Sequence, residues 1–185
     1  RIWLFFMGAG LFSLFIAPNV WLAFRFTRNE IPSTLTAETF RLVRRIMGLV
    51  SSLVIGIAAI SFGSAAASRW EVILQYIHST PFTSVSPETG VRTEMLEPIF
   101  NKGIDFYVFT LPLLGFLRGW ILGVLIVTLL VVAAMYLIHR GLKEKGDMNF
   151  QSPKMHLAVI GSLIFLSISV GHWLGRYDLL YSSEG

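Results

Sequence analysis

The side chains able to do chemistry are few, and most of them stand within or beside long apolar runs. Arg118 interrupts the run 106–138. An arginine there either snorkels its guanidinium to an interface or is a costly charge kept in the bilayer for a function, such as lining a polar path. Interfacial snorkelling is the default, and a mid-membrane position would mark Arg118 as a functional intramembrane charge. Of the four histidines, only His172 falls inside an apolar run. Imidazole can ligate haem, a pigment or a metal. Beside Trp173 and the polar Arg176-Tyr177-Asp178, however, His172 reads first as an interfacial hydrogen-bonding residue and only weakly as a cofactor ligand. His78 is distant in sequence, and His139 and His156 flank a basic loop, where they read as interfacial.

The absences are equally specific. There is no cysteine, which excludes disulfides, thiolate metal sites and cysteine nucleophiles. The charge-free runs hold no acidic residue, so they lack the carboxylates that many pumps use for protons or cations. No phosphate-cradling glycine loop, HExxH zinc motif or GxSxG nucleophile turn is present. The sequence therefore predicts a non-enzyme with no catalytic residue, no metal site and no assigned cofactor, haem or pigment being left open.

The elements that position these residues are membrane spans. The chain of 185 residues is 54% hydrophobic and 14% charged, with a mean hydropathy of +0.67, which predicts an all-α, polytopic transmembrane bundle forming one region over 1–185. Residues 2–24 and 46–68 carry no charge, and each would reach about 34 Å as a helix against a hydrocarbon core of about 30 Å. Residues 157–175 form another span. The run 106–138 would measure about 50 Å as a single helix. It is divided at Arg118 into an interfacial segment, 106–117, and a span, 119–138; one long tilted helix is the alternative. Pro18 and Asn19 suggest a kink in the first span.

Loop charges predict orientation. The loop 25–45 holds Arg25, Arg28, Arg41, Arg44 and Arg45, and the loop 139–156 holds Arg140, Lys143, Lys145 and Lys154. Both should be cytoplasmic, whereas the acid-rich loop 69–105 should be extracytoplasmic. The net charge of +4 thus reads as membrane anchoring rather than affinity for nucleic acid. Trp70, Tyr76, Tyr107, Trp173, Tyr177 and Tyr181 fall where an aromatic belt would lie. Thr36 should cap a helix with Glu38 in its first turn, and Ser152-Pro153 should open the last one.

Two small-residue stripes suggest packing faces. Gly115, Gly119 and Gly123 recur every fourth residue, as do Ala59, Gly63 and Ala67, so each set shares one helix face where another backbone can approach. The two helices should pack on each other or on another protein.

Two segments also carry a family resemblance. Thr80-Pro81-Phe82 followed by Glu97-Pro98-Ile99-Phe100-Asn101-Lys102-Gly103-Ile104-Asp105-Phe106-Tyr107-Val108-Phe109-Thr110-Leu111-Pro112 resembles a loop preceding a span in uncharacterised protein family 0182. Trp173-Leu174-Gly175-Arg176-Tyr177-Asp178-Leu179-Leu180-Tyr181-Ser182 is similar to that family's pattern at the end of a span. Gly175 stands where the family has an acid, and residues 84–96 are longer than the corresponding loop. The resemblance implies a large bacterial multi-pass membrane protein of the cytoplasmic membrane, of which this chain would be an internal, N-terminal portion, and it supplies no catalytic residue. The functional expectation is a structural or accessory component contacting lipid and other subunits, or other segments of its own chain. The alternatives are part of a transporter or channel with Arg118 on its path, and a haem- or pigment-carrying subunit ligated by His172.

Overall fold

Apolar runs without backbone breakers become helices because every main-chain N–H and C=O is then satisfied within the segment, a requirement that is absolute where water is missing. In the computed structural model, which describes residues 1–27, 36–88, 90–141 and 151–179, four long helices result: α1 (Ile2–Phe26), α2 (Ala37–Ser68), α4 (Leu111–Gly141) and α5 (Gln151–Asp178). Each is long and apolar enough to cross a membrane. A short amphipathic helix, α3 (Trp70–Ile77), follows α2, and a two-stranded antiparallel hairpin pairs β1 (Thr83–Val85) with β2 (Arg92–Glu94). The segment 69–105 is thus a folded connection.

The division at Arg118 is not what the chain does. Phe106–Thr110 forms a π-helical turn that runs straight into α4, so the apolar helix extends over Phe106–Gly141 without a break. The reason lies in Pro112, which has no N–H for the usual bond to the residue four back. The wider turn places the Leu111 N–H on the Phe106 carbonyl and carries the helix past the proline. At about 54 Å, this helix exceeds a hydrocarbon core, so it must tilt or project. The separate short helix lies at α3 instead.

Pro18 is also accommodated. α1 continues through it, and Asn19 Nδ2 donates to the Phe15 carbonyl at 2.7 Å. The Thr36 cap forms as its sequence suggests, its hydroxyl accepting from the Thr39 N–H at 3.3 Å. α5 starts at Gln151, placing Ser152 and Pro153 in its first turn. Arg28, Lys143, Lys145, Leu180, Tyr181 and Ser182 lie outside the described residues.

The core is built on α1. Phe12, Ile16, Val20 and Ala23 make one buried face, packed against Val124, Val132, Met135 and Tyr136 of α4 and Ile160 of α5. Large apolar side chains also cover the outside, among them Leu53, Ile57, Leu130 and Phe165, a distribution that suits a lipid surround and not water. Hydroxyls obey the same rule: Ser13, Ser61, Ser162, Ser169 and Thr128 each donate to the carbonyl four residues back.

Candidate functional site

The small-residue stripes separate in the structure. Gly63 lies where α1 crosses α2; a Cβ there would stand 2.8 Å from the Phe5 carbonyl oxygen and 3.1 Å from the Ala9 methyl. Gly8 answers it from α1, its own Cβ position falling 2.6 Å from the Ala66 methyl. Ala59 packs beside the core and Ala67 is half-buried. The α2 stripe therefore serves α1. On α4, Gly123 faces the Phe62 ring, whereas Gly115 and Gly119 open onto empty space. Phe62 itself stacks on Phe12 with ring centres 4.7 Å apart and meets Trp120 edge-on, and Trp120 Nε1 donates to the Phe62 carbonyl at 3.1 Å. That bond ties α4 to α2 through an aromatic step seated on Gly123, not through packing of the two stripes on each other.

Three polar assemblies link the helices. The first joins α1, α4 and α5. Tyr136 lies 2.8 Å from His156 Nδ1, and His156 Nε2 lies 3.0 Å from Asn19 Oδ1. Because Asn19 Nδ2 is donating to Phe15, its Oδ1 must accept, so Nε2 carries the imidazole proton. Nδ1 is then the acceptor, and the Tyr136 hydroxyl donates to it. His156 is thus the centre of a directed chain in the bundle, where the sequence had suggested only an interfacial residue. The Phe26 ring packs on it at 6.1 Å.

The second assembly surrounds Arg118. Its guanidinium does not run out along its own helix but crosses to α5, where Nε donates to the Ser167 carbonyl at 3.1 Å. It also lies against Gly171, where any Cβ would overlap it. Arg118 and Ser167 share a groove of about 550 Å³ whose other walls are apolar, including Leu114, Leu117, Leu163 and Val170. Two further grooves on the bundle, one between α2 and α4 and one beside α1, carry no charged side chain.

The third assembly brings together the two segments on which the family resemblance rests. In the loop before α4, the Glu97 carboxylate accepts from the Ile99 N–H at 2.7 Å, the Phe100 N–H at 2.6 Å and the Tyr107 hydroxyl at 3.3 Å. The Glu97 N–H donates to the Lys102 carbonyl at 2.8 Å, and Asn101 takes φ of 52°, the left-handed conformation that asparagine tolerates better than most residues. Desolvation acts to raise the Glu97 pKa, but the donors from Phe100, Ile99 and Tyr107 outweigh it and hold the carboxyl below its ordinary value. The turn delivers Phe100, Phe106 and Tyr107 to Tyr177, whose ring centre is 5.0, 5.1 and 6.0 Å from theirs, respectively. Arg176 lies over Trp173 at 4.4 Å and Tyr177 at 4.6 Å. Tyr107, Leu111, Leu174 and Tyr177 close into a second buried cluster, so the two motif segments form one structural lock at this end of the bundle.

His172 is left out of all three. It is exposed on the outside of α5, as His78 is at the end of α3. Among the described residues no group of histidine and carboxylate side chains is placed to hold a metal. The His156 chain was missed because each of its members looks ordinary in its own helix. The available signal was that antiparallel neighbours joined by a loop pair residues at equal distances from it, which sets Tyr136 against His156.

Comparisons with known proteins point to the same family that these segments resemble. The profile of the Uncharacterised protein family (UPF0182) matches residues 1–185. A UPF0182 protein of Nostoc sp. is 33% identical over 131 residues, 70% of this chain and 12% of the relative. Another, of Trichlorobacter lovleyi, is 30% identical over 182 residues, 95% of this chain and 19% of the relative. One from Clostridium perfringens is 32% identical over 172 residues, 85% of this chain and 17% of the relative. The chain therefore spans less than a fifth of the length of these relatives. No solved structure matches it. With a profile match along its entire length, the chain belongs to the UPF0182 family.

Proposed function

We propose that this chain is a structural transmembrane segment, an accessory or scaffolding part of a larger assembly in the bacterial cytoplasmic membrane. The observation that carries the reading is the use made of polar side chains inside the bundle. Tyr136, His156 and Asn19 consume one another's hydrogen bonds across three helices, and Trp120 and Arg118 each tie α4 to a neighbouring backbone. Such cross-bracing fixes helix positions. The open Gly115–Gly119 face of α4 and the much greater length of the relatives fit a segment that other parts of a longer polypeptide, or other subunits, pack against. The hairpin end faces out of the cytoplasm and the 25–45 and 139–156 loops face in.

The test is deletion of the gene, followed by native gel analysis of membrane complexes. Loss or reduced abundance of a defined assembly supports the scaffold; unaltered assemblies together with the loss of a solute flux would replace it with the transporter reading, in which Arg118 contacts the solute. A purified protein with a visible absorption band that vanishes in His172→Ala would instead favour the haem- or pigment-carrying reading.

A further inference from the structure

The groove around Arg118 has features that helix bracing does not use. A guanidinium has donors on all three nitrogens, and Arg118 uses Nε alone for Ser167. Among the described residues, Nη1 and Nη2 have no protein acceptor and no acid partners the charge. Ser167 supplies an independent observation. The residue is 8% exposed, yet its hydroxyl has no hydrogen-bond partner, in a bundle where Ser162 and Ser169, on the same helix, return theirs to the backbone. A half-buried cation and a buried, unpaired hydroxyl on the same groove are two unmet demands of one kind, and an anionic oxygen would meet both.

We propose that this groove binds a membrane lipid through its phosphate, with Arg118 as the anion-binding cation, the Ser167 hydroxyl as a second donor after a rotamer change, and the apolar walls taking an acyl chain. The shape fits an amphiphile. Because α4 and α5 run antiparallel, Leu114 and Trp173 lie on the hairpin side of Arg118, while Ile121, Leu125 and Leu163 continue the groove toward the opposite end. The headgroup therefore enters at the hairpin side, beneath Trp173, and the chain lies along the deeper apolar walls. The guanidinium occupies the place a side chain at Gly171 would take, so a larger residue there would displace it. A lipid phosphate is favoured over a free anion because nearly all the lining surface is hydrocarbon, which a small hydrophilic ion would leave unused. The proposal goes beyond the scaffold reading and does not require it.

The test uses the full-length parent protein in detergent, titrated with phosphatidylglycerol and followed by native mass spectrometry. One lipid should be retained per chain, with affinity falling about tenfold or more in Arg118→Gln, as loss of a charge-assisted contact implies. Arg118→Lys should restore part of it, and Ser167→Ala should weaken it several-fold. Leu163→Trp, which fills the acyl seat and leaves the cation, should also reduce retention, guarding against an Arg118→Gln protein that fails to fold. Equal retention by wild type and both Arg118→Gln and Leu163→Trp overturns the proposal. So does equal competition by a diacylglycerol of the same chains, which would make the groove merely apolar, or equal competition by inorganic phosphate, which would make it a site for the free anion.

Discussion

Gly63 and Gly119 are both helical glycines within small-residue stripes, and the structure assigns alanine opposite effects at the two positions. At Gly63 the new methyl would meet the Phe5 carbonyl oxygen at 2.8 Å, where ordinary contact begins at 3.4 Å, so α1 and α2 must part by about 0.6 Å or distort locally. The obstacle is backbone, which has no rotamer to change. Overpacking of this kind costs about 1–3 kcal/mol. At Gly119 a methyl would meet nothing within 4 Å. Alanine also improves helix propensity over glycine by about 1 kcal/mol, and that gain applies at both sites. It offsets part of the cost at Gly63 and cancels when the variants are compared, leaving Gly63→Ala less stable than Gly119→Ala by about 1–3 kcal/mol. Both are measured by denaturant titration of the 1–185 chain in mild detergent, where nothing else covers the Gly115–Gly119 face, with Gly119→Ala expected at or above wild type. Equal stabilities, or a Gly119→Ala protein that is the weaker of the two, would refute the assignment of α1 and α2 as the tightly packed pair.

The polar chain and the Glu97 turn yield further tests. Nitrogen NMR of His156 should show Nε2 protonated and Nδ1 bare; the opposite tautomer would reverse the direction of the chain. Tyr136→Phe should destabilise the bundle by about 0.6 kcal/mol, the average for hydrogen bonds between membrane helices, and by no more than about 1.7 kcal/mol, while an unchanged denaturation midpoint would mean that the hydroxyl contributes nothing. The Glu97 carboxyl is held below its ordinary value near 4.5, so its contribution is fully present above that pH. The contribution is lost as pH falls through the lower folded value. Hydrogen exchange at the Ile99 and Phe100 amides should therefore accelerate on acidification beyond the intrinsic trend, whereas Glu97→Gln should exchange faster than wild type near neutral pH and show little of the acid step.

Span number was legible because hydrocarbon imposes a length and a composition, and residues 2–24, 46–68 and 157–175 meet both without ambiguity. The run 106–138 misled at Arg118 because a charge reads as a boundary when only the helix carrying it is considered. What keeps Arg118 inside a continuous helix is a backbone carbonyl on another helix, at Ser167. The same limit applies to the glycines. Periodicity placed Gly115, Gly119 and Gly123 on one face, but whether that face meets a neighbour depends on the bundle, and two of the three meet none. The motif segments were visible in the sequence, yet their convergence through Phe100, Tyr107 and Tyr177 required the π-turn at Phe106–Thr110 to bring the loop back over the end of α5. His156 shows the difficulty most plainly, because its partners are supplied by helices that begin far away in the sequence.

Single-cysteine labelling in intact cells tests directly whether the four helices cross the membrane with the hairpin end outside. The chain has no native cysteine, so Ser86→Cys, Arg41→Cys and Arg140→Cys can be placed in it singly. A membrane-impermeant maleimide should label Ser86→Cys in intact cells and the other two only after permeabilisation. Labelling of Arg41→Cys or Arg140→Cys from outside, or protection of Ser86→Cys until the membrane is opened, would contradict the topology on which the scaffold reading and its orientation rest.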